Sequence, residues 1–282
     1  MRGQIVRVHY DIFFVSDGEN VVPCRAKGTL KLKKDSLFVG DIVDFEDGVI
    51  NGIEKRKNLF IRPAVSNVDQ IFIFLAPVPE PDFMLLDTLL VNAFKENVKV
   101  CIIVNKSDLK ADELFEKIKR EYKDCKVGIY QVSALEKTGI EELKKKLKNK
   151  LTVLAGQSAV GKTSFINALF GYSLKTGDLS EKISRGKHST TYSNVYFSGD
   201  IRVIDTPGFA VIETGKMEKD EKIKDYYPEY VKVAHLCKFR DCNHINEPGC
   251  KVIELVKEGS FSKERYDRYV ELHFSDIKRR EY

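Results

Sequence analysis

The residues best suited to chemistry stand near the middle of the chain. Gly156-Gln157-Ser158-Ala159-Val160-Gly161-Lys162-Thr163 fits the phosphate-loop pattern G-x-x-x-x-G-K-[ST]. It lies between an apolar strand, Leu151 to Ala155, and a helical stretch from Lys162 to Phe170, which is the context such a loop needs. Backbone N–H groups of the loop and of the helix N-terminus then point at phosphate oxygens. Lys162 is expected to reach the β and γ phosphates and the Thr163 hydroxyl to ligate Mg²⁺, with Ser164 completing the phosphate-binding set. Asp205-Thr206-Pro207-Gly208 follows a second apolar strand, Ile201 to Ile204. Asp205 at that strand end can hold Mg²⁺ through water, and the Gly208 N–H can meet the γ-phosphate.

Asn105-Lys106-Ser107-Asp108 follows another apolar strand, Val98 to Val104. The Asp108 carboxylate can accept two hydrogen bonds from guanine, at ring N1–H and the exocyclic amino group, where adenine offers no such pair. A site built around those bonds rejects the analogue that lacks them. Asn105 is expected to brace the loop and the Lys106 stem to lie over the base. Ser133-Ala134-Leu135 ends a further strand, and the Ala134 N–H is expected to meet the guanine O6. Alone, Asn-Lys-Ser-Asp also reads as an ordinary helix cap. Beside a phosphate loop it selects GTP over ATP, and so speaks against a phosphate-loop ATPase or kinase.

The order of these signals is circularly permuted. The base-reading motifs at 105 and 133 precede the phosphate loop at 156, the threonine-bearing loop near 190 and the acidic motif at 205. Translation-factor and Ras-like GTPases run the phosphate loop first. Permutation is physically acceptable where the old termini lie close together at the surface. Its consequence is that the segment after Asp205, which moves on hydrolysis in such proteins, leads straight into the C-terminal part of the chain.

A second constellation lies in that part. Cys237, Cys242, His244 and Cys250 are spaced C-x4-C-x-H-x5-C. Three thiolates and one imidazole make a closed tetrahedral set for one structural Zn²⁺, with no open position for a hydrolytic water. His235 is redundant as a ligand and reads as structural or surface. Cys24, Cys101 and Cys125 stand alone and read as small buried hydrophobes.

Three kinds of element must position these groups. Residues 1 to about 62 alternate in short β-prone runs, at Gln4–Val8, Ile12–Val15, Val21–Leu32, Gly40–Phe45 and Val49–Ile50, separated by turn signals. They predict a five-stranded barrel of oligonucleotide-binding type. From Arg62-Pro63 the texture changes to buried strands alternating with helices, which predicts an α/β domain with a mainly parallel sheet. The strands are Gln70–Ala76, Val98–Val104, Gly128–Val132, Leu151–Ala155, Ser193–Phe197 and Ile201–Ile204. The helices are Phe83–Lys95, Glu113–Tyr122, Ile140–Lys150 and Lys162–Phe170. The remainder reads as helical around the cysteine cluster. The expected organisation is thus a multidomain α/β protein: an OB-fold barrel over 1–63, a circularly permuted phosphate-loop GTPase domain over 64–212 and a helical zinc-binding domain over 213–282.

Composition sets outer limits. With 47 Lys and Arg against 42 Asp and Glu, the net charge of +5 permits nucleic-acid binding without arguing for it. No stretch approaches the length of an apolar membrane span, and the start has no signal-peptide run. Scattered cysteines with one cluster suggest a reducing compartment. The expectation is a cytoplasmic monomer without membrane or DNA partners.

Taken together, the chain resembles the ribosome small-subunit-dependent GTPase A family, RsgA or YjeQ, over nearly its whole length. Beyond the nucleotide motifs, Arg56-Lys57-Asn58 with Arg62-Pro63 is similar to the family's junction between barrel and GTPase domain. Asn67-Val68-Asp69-Gln70 is similar to its first GTPase strand. Arg185-Gly186-Lys187-His188-Ser189-Thr190-Thr191 resembles its switch loop, and Cys237 to Cys250 its zinc motif. The resemblance implies GTP hydrolysis to GDP and phosphate. It also implies binding to the small ribosomal subunit and its rRNA, and a role in late maturation of that subunit. Thr190 or Thr191 would close over Mg²⁺ and γ-phosphate. Phe209 and Ala210 stand where Ras-like enzymes carry a water-orienting glutamine, and neither can do that work. His188 is either the substitute, orienting water near neutral pH, or a surface-loop histidine; the resemblance favours catalysis. Turnover is then slow until the subunit orders the switch loop. Arg25, Lys27, Lys31, Lys33 and Lys34 on the barrel, and Lys278, Arg279 and Arg280 at the end, are candidate phosphate contacts. The alternative is a nucleotide-dependent RNA-binding module in which hydrolysis is incidental.

Overall fold

The computed structural model describes residues 1–28, 36–171, 194–205, 214 and 220–280, with backbone alone at 194 and 278–280. The first five strands are β1 (Arg2–His9), β2 (Ile12–Ser16), β3 (Val21–Ala26), β4 (Ile42–Glu46) and β5 (Val49–Ile53). They close in the order β1-β2-β3-β5-β4, the five-stranded barrel expected from the alternation. Period-2 patterning turns Ile5, Val15, Cys24, Val43, Phe45 and Ile50 inward to form its core.

A short hairpin, β6 (Leu59–Ile61) and β7 (Ala64–Ser66), follows. The sequence reading has no counterpart for it. Its Phe60 and Val65, with Val39, are buried in the core of the next part of the chain. The buried Asp41 carboxylate fastens the barrel to this hairpin, accepting bonds from Ser66 Oγ at 2.5 Å and Arg56 Nε at 2.7 Å.

Next come β8 (Gln70–Leu75), α1 (Phe83–Lys95), β9 (Lys99–Val104), α2 (Asp112–Glu121), β10 (Gly128–Gln131), α3 (Ile140–Leu147), β11 (Lys150–Ala155), α4 (Lys162–Phe170), β12 (Asn194–Ser198) and β13 (Ile201–Asp205). The sheet order is β10-β9-β8-β11-β13-β12, parallel except for β12, which pairs antiparallel with β13. Alternate strand residues supply two cores. Ile71, Ile73, Val100 and Ile102 pack with Leu86 and Leu89 of α1 and Ile118 of α2. Phe72, Phe74 and Ile103 pack with Leu143 of α3 and Phe165 of α4. Both faces are therefore covered, which is why these strands read as continuous apolar runs.

Helix α3 is shorter than predicted. It stops at Leu147, Asn149 takes a left-handed φ of 56° and donates its N–H to Asp200 O at 2.8 Å, and Lys150 opens β11. The Lys-rich stretch has helical propensity to its end, but sheet pairing claims its last residue. Asparagine tolerates the left-handed turn that redirects the chain.

The C-terminal part is built on α5 (Pro228–Val233), α6 (Lys251–Lys257) and α7 (Lys263–Arg280), and no strand occurs among its described residues. Val91 of α1 belongs to its apolar core together with Tyr227, Tyr230 and Tyr269, so this lobe is packed onto the α/β part. No described helix is long and apolar enough to cross a membrane.

Candidate nucleotide site and metal centre

The connection from β8 runs through α1, β9, α2 and β10 to one side of the sheet; β11 and its successors run to the other. The switch point lies between β8 and β11, and loops at the carboxyl ends of strands beside such a point are where α/β sheets bind ligands. Gly156 follows β11 there, Asn105 follows β9, Ser133 lies just beyond β10 and Asp205 ends β13.

The phosphate loop curls back over its own lysine. Lys162 Nζ donates to the carbonyls of Gly156 at 2.8 Å and Gln157 at 2.7 Å. Burial lowers the pKa of this ammonium, and the Asp205 carboxylate pushes it back up. Lys162 and buried Asp205 therefore feel each other's charge across the site. Two glycines make the curl possible. Gly156, at φ 117°, lies so close to Phe74 that a Cβ would sit 2.3 Å from its carbonyl oxygen. Gly161, at φ 93°, would place a Cβ 2.3 Å from Asn105 Nδ2. Ser158 and Ala159 are exposed and Val160 is buried; Thr163 and Ser164 open α4 half-buried.

Asn105 ties the two halves of the site together. Its Nδ2 donates to Val160 O at 2.9 Å and Gly161 O at 3.4 Å, while its Oδ1 accepts the Ala134 N–H at 3.1 Å. Asn105 thus joins the 156–164 loop to the 133–134 loop. The Ala134 N–H, expected to face guanine O6, is committed to Asn105 in this structure because the amide lies between the two loops. Ser133 Oγ donates to Asp108 Oδ1 at 2.5 Å and so orients the carboxylate. Ser107 N–H donates to Val132 O at 3.0 Å, locking the two base-side loops in register. Lys106, at a left-handed φ of 61°, sends Nζ to Val78 O at 2.7 Å.

Of the expected site residues, Gly208, His188, Thr190 and Thr191 lie outside the described residues, as do Phe209, Ala210, Lys31, Lys33 and Lys34. Arg25 and Lys27 are exposed on the barrel.

The cysteine cluster is assembled as its spacing predicts. One donor atom from each of Cys237, Cys242, His244 and Cys250 falls within 4.8 Å of every other. His244 Nδ1 lies 3.7 Å from Cys237 Sγ and 3.4 Å from Cys250 Sγ. Burial, with the nearby Lys224 ammonium, depresses the imidazole to a pKa of about 4, so it is neutral and able to coordinate. Burial pushes the Cys242 thiol up to about 12; a divalent cation would supply the positive charge these thiolates lack. The donor chemistry and spacing fit Zn²⁺. Exposed His235 is outside the set. The surrounding loop is tied by Glu247, whose carboxylate accepts the N–H groups of Asn243, Ile245 and Asn246, and by Tyr266, whose hydroxyl donates to the carbonyls of His244 and Ile245.

Comparison with known proteins places this geometry. The RsgA GTPase family profile matches residues 53–215, and the RsgA N-terminal domain profile matches residues 2–51. The chain belongs to the RsgA GTPase family. It is therefore a GTPase. It is 41% identical over 266 residues to the small ribosomal subunit biogenesis GTPase RsgA of Fusobacterium nucleatum, covering 91% of this chain and 93% of that one. The protein of the same name in Clostridium acetobutylicum is 38% identical over 277 residues, 96% of each chain. Among solved structures, YjeQ from Thermotoga maritima matches with a TM-score of 0.80 at 31% identity over 98% of both chains. YloQ, described as a circularly permuted GTPase, matches with a TM-score of 0.78 at 28% identity over 99% of this chain and 95% of that one. The permuted motif order and the three-part architecture thus follow the family.

Sequence reasoning overlooked three polar assemblies. Gln157 bonds to the backbone of the loop after β8. Lys106 reaches that same loop. Asp87, fully buried on α1, is bonded by Arg265 and Arg268 of α7 and by the Tyr122 hydroxyl. The partners of each are far apart in sequence, so local pattern carries no signal of them; a charged residue on the apolar face of a predicted helix was the one available hint for Asp87.

Proposed function

We propose that this chain binds GTP across the Asn105–Asp108, Ser133–Ala134 and Gly156–Ser164 loops and hydrolyses it to GDP and phosphate during late maturation of the small ribosomal subunit in the cytoplasm. The observation that carries the reading is Asn105, which bonds the phosphate loop and the base-side loop at once, so that a ligand with a guanine at one end and phosphates at the other spans a single braced unit. Asp108, oriented by Ser133, would read the guanine edge. Lys162 and the loop amides would hold the phosphates, and Thr163 with Asp205 would hold Mg²⁺, which supplies charge neutralisation at the phosphates. Cys237, Cys242, His244 and Cys250 would hold one structural Zn²⁺. The division into an RNA-binding barrel over 1–63, a GTPase domain over 64–212 and a zinc domain over 213–282 belongs to the same proposal. So do binding to the subunit's rRNA as a monomer and the gating of turnover by Thr190 or Thr191 with His188.

The test is GTP turnover by the purified protein alone, with small subunits and with large subunits. Small subunits are expected to raise the rate severalfold or more and large subunits to leave it unchanged. Stimulation by large subunits alone overturns the reading. His188→Ala is expected to lose the stimulated rate while keeping GTP affinity; a fully stimulated His188→Ala variant removes His188 from the mechanism.

A further inference from the structure

The Gln157 side chain joins the loop after β11 to the segment after β8. Gln157, second residue of the phosphate loop, accepts the Asp82 N–H on Oε1 at 3.0 Å and donates from Nε2 to Glu80 O at 3.0 Å. Both ends of its amide are used, on two backbone groups of the 77–82 segment that leads from β8 into α1. Asp82 is itself the cap of α1, its carboxylate accepting the Leu85 N–H at 2.8 Å. The same segment is held from the base side, where Lys106 Nζ donates to Val78 O at 2.7 Å. The 77–82 segment is therefore gripped by one residue of the phosphate loop and by one residue of the guanine motif.

The main chain of Gln157 carries a second task. Its carbonyl, with that of Gly156, accepts the Lys162 ammonium. Side chain and carbonyl belong to one residue, so anchoring the amide on Glu80 and Asp82 limits how far the backbone carrying the carbonyl on which Lys162 rests can shift. Loops that close on a reacting phosphate must hold their geometry closely, and small displacements of positioning groups cost rate. We propose that Gln157 is a positioning residue for Lys162, using the 77–82 segment as a brace common to the phosphate and guanine halves of the site. The assignment rests on the reading that Gly156–Ser164 holds GTP. It adds that a variable position of the phosphate-loop pattern acts through its side chain on a loop outside every nucleotide motif.

Gln157→Met keeps the length of the side chain and removes both hydrogen bonds. Without the brace the loop and Lys162 must be ordered by the ligand itself, so affinity for GTP and for GDP, measured with fluorescent analogues, is expected to fall severalfold. Single-turnover hydrolysis at saturating GTP is expected to slow as well, because Lys162 is no longer aligned. The melting temperature of the nucleotide-free protein separates this from a folding defect. A positioning role leaves it within about 2 °C of wild type, since the lost bonds lie at the surface. A variant that binds and hydrolyses GTP as wild type does overturns the proposal. So does one whose saturating rate is unchanged while its melting temperature drops. Failure of the wild-type protein to bind GTP would instead sink the proposed function, so the two ideas fail separately.

Discussion

At the scale of single residues, Asn105 is the most consequential side chain of the site. Its amide satisfies Val160 O and the Ala134 N–H, and Asn105 and Ala134 are themselves buried. Leaving a buried donor or acceptor unmade costs about 1–3 kcal/mol, and about 1.4 kcal/mol is a factor of ten in an equilibrium constant. Asn105→Ala is therefore expected to weaken GTP binding at least tenfold, measured by calorimetric titration, because both half-sites lose their common tie. Gly161→Ala should reproduce the defect by a different route, its new Cβ forcing Asn105 aside. His244 gives a second residue-scale expectation, for the protein freed of metal. Its folded pKa of about 4 lies below the ordinary 6.5, so between those values the unfolded chain binds more protons than the folded one, and stability rises with pH. Acidifying from pH 6.5 towards 4 should therefore weaken the C-terminal lobe, as read from its tyrosine signal, and bound metal should shift the transition to lower pH without reversing its sign.

At the scale of elements, helix α1 joins what the chain order separates. Its Asp87 is fully buried and bonded to Arg265 and Arg268 of α7, Arg265 also reaches Glu229 of α5 at 2.7 Å, and Arg268 reaches Glu121 of α2 at 2.8 Å. Removing one member of such a buried network leaves the others uncompensated, at a cost of about 3–5 kcal/mol. Asp87→Ala should lower denaturant stability by that order. Lys119→Ala, which breaks the exposed pair with Glu116 and an exposed cation–π contact with Phe115, should cost about 1 kcal/mol at most. This contrast also marks how far the sequence could be read. Strands β8, β9 and β11 and helices α1 and α4 were legible because burial on one or both faces writes itself into local periodicity. The phosphate, guanine and zinc motifs were legible because their chemistry fixes residue type at short spacing. The β6–β7 hairpin was not, since two three-residue strands around Arg62-Pro63 are too short to show a period. Nor were the Asp87 network and the Gln157 bonds, whose partners lie 178 and 75 residues away in sequence.

At the scale of the whole molecule, the permuted order joins two independent ties between the nucleotide site and the C-terminal lobe. One is covalent: the chain passes from Asp205 directly into that lobe. The other is α1, whose cap borders the phosphate loop and whose middle is bonded to α7. A lobe held at both points can register nucleotide state only if it is itself rigid. On the proposed zinc reading its rigidity would depend on the four ligands, because half of the set, Cys242 and Cys250, lies within its apolar core. Metal binding energy is folding energy in such small lobes. Cys250→Ser should accordingly separate two activities. GTP affinity should remain close to wild type, since among the described residues no hydrogen bond or ion pair joins the loops at 105, 133 or 156 to the cluster. Stimulation by small subunits should fall severalfold or disappear, and the zinc content measured by atomic absorption should drop with it. A Cys250→Ser protein that has lost its zinc yet keeps full stimulation would show that the lobe is a passive appendage, and that the subunit acts on the nucleotide site through the barrel or the α/β part alone.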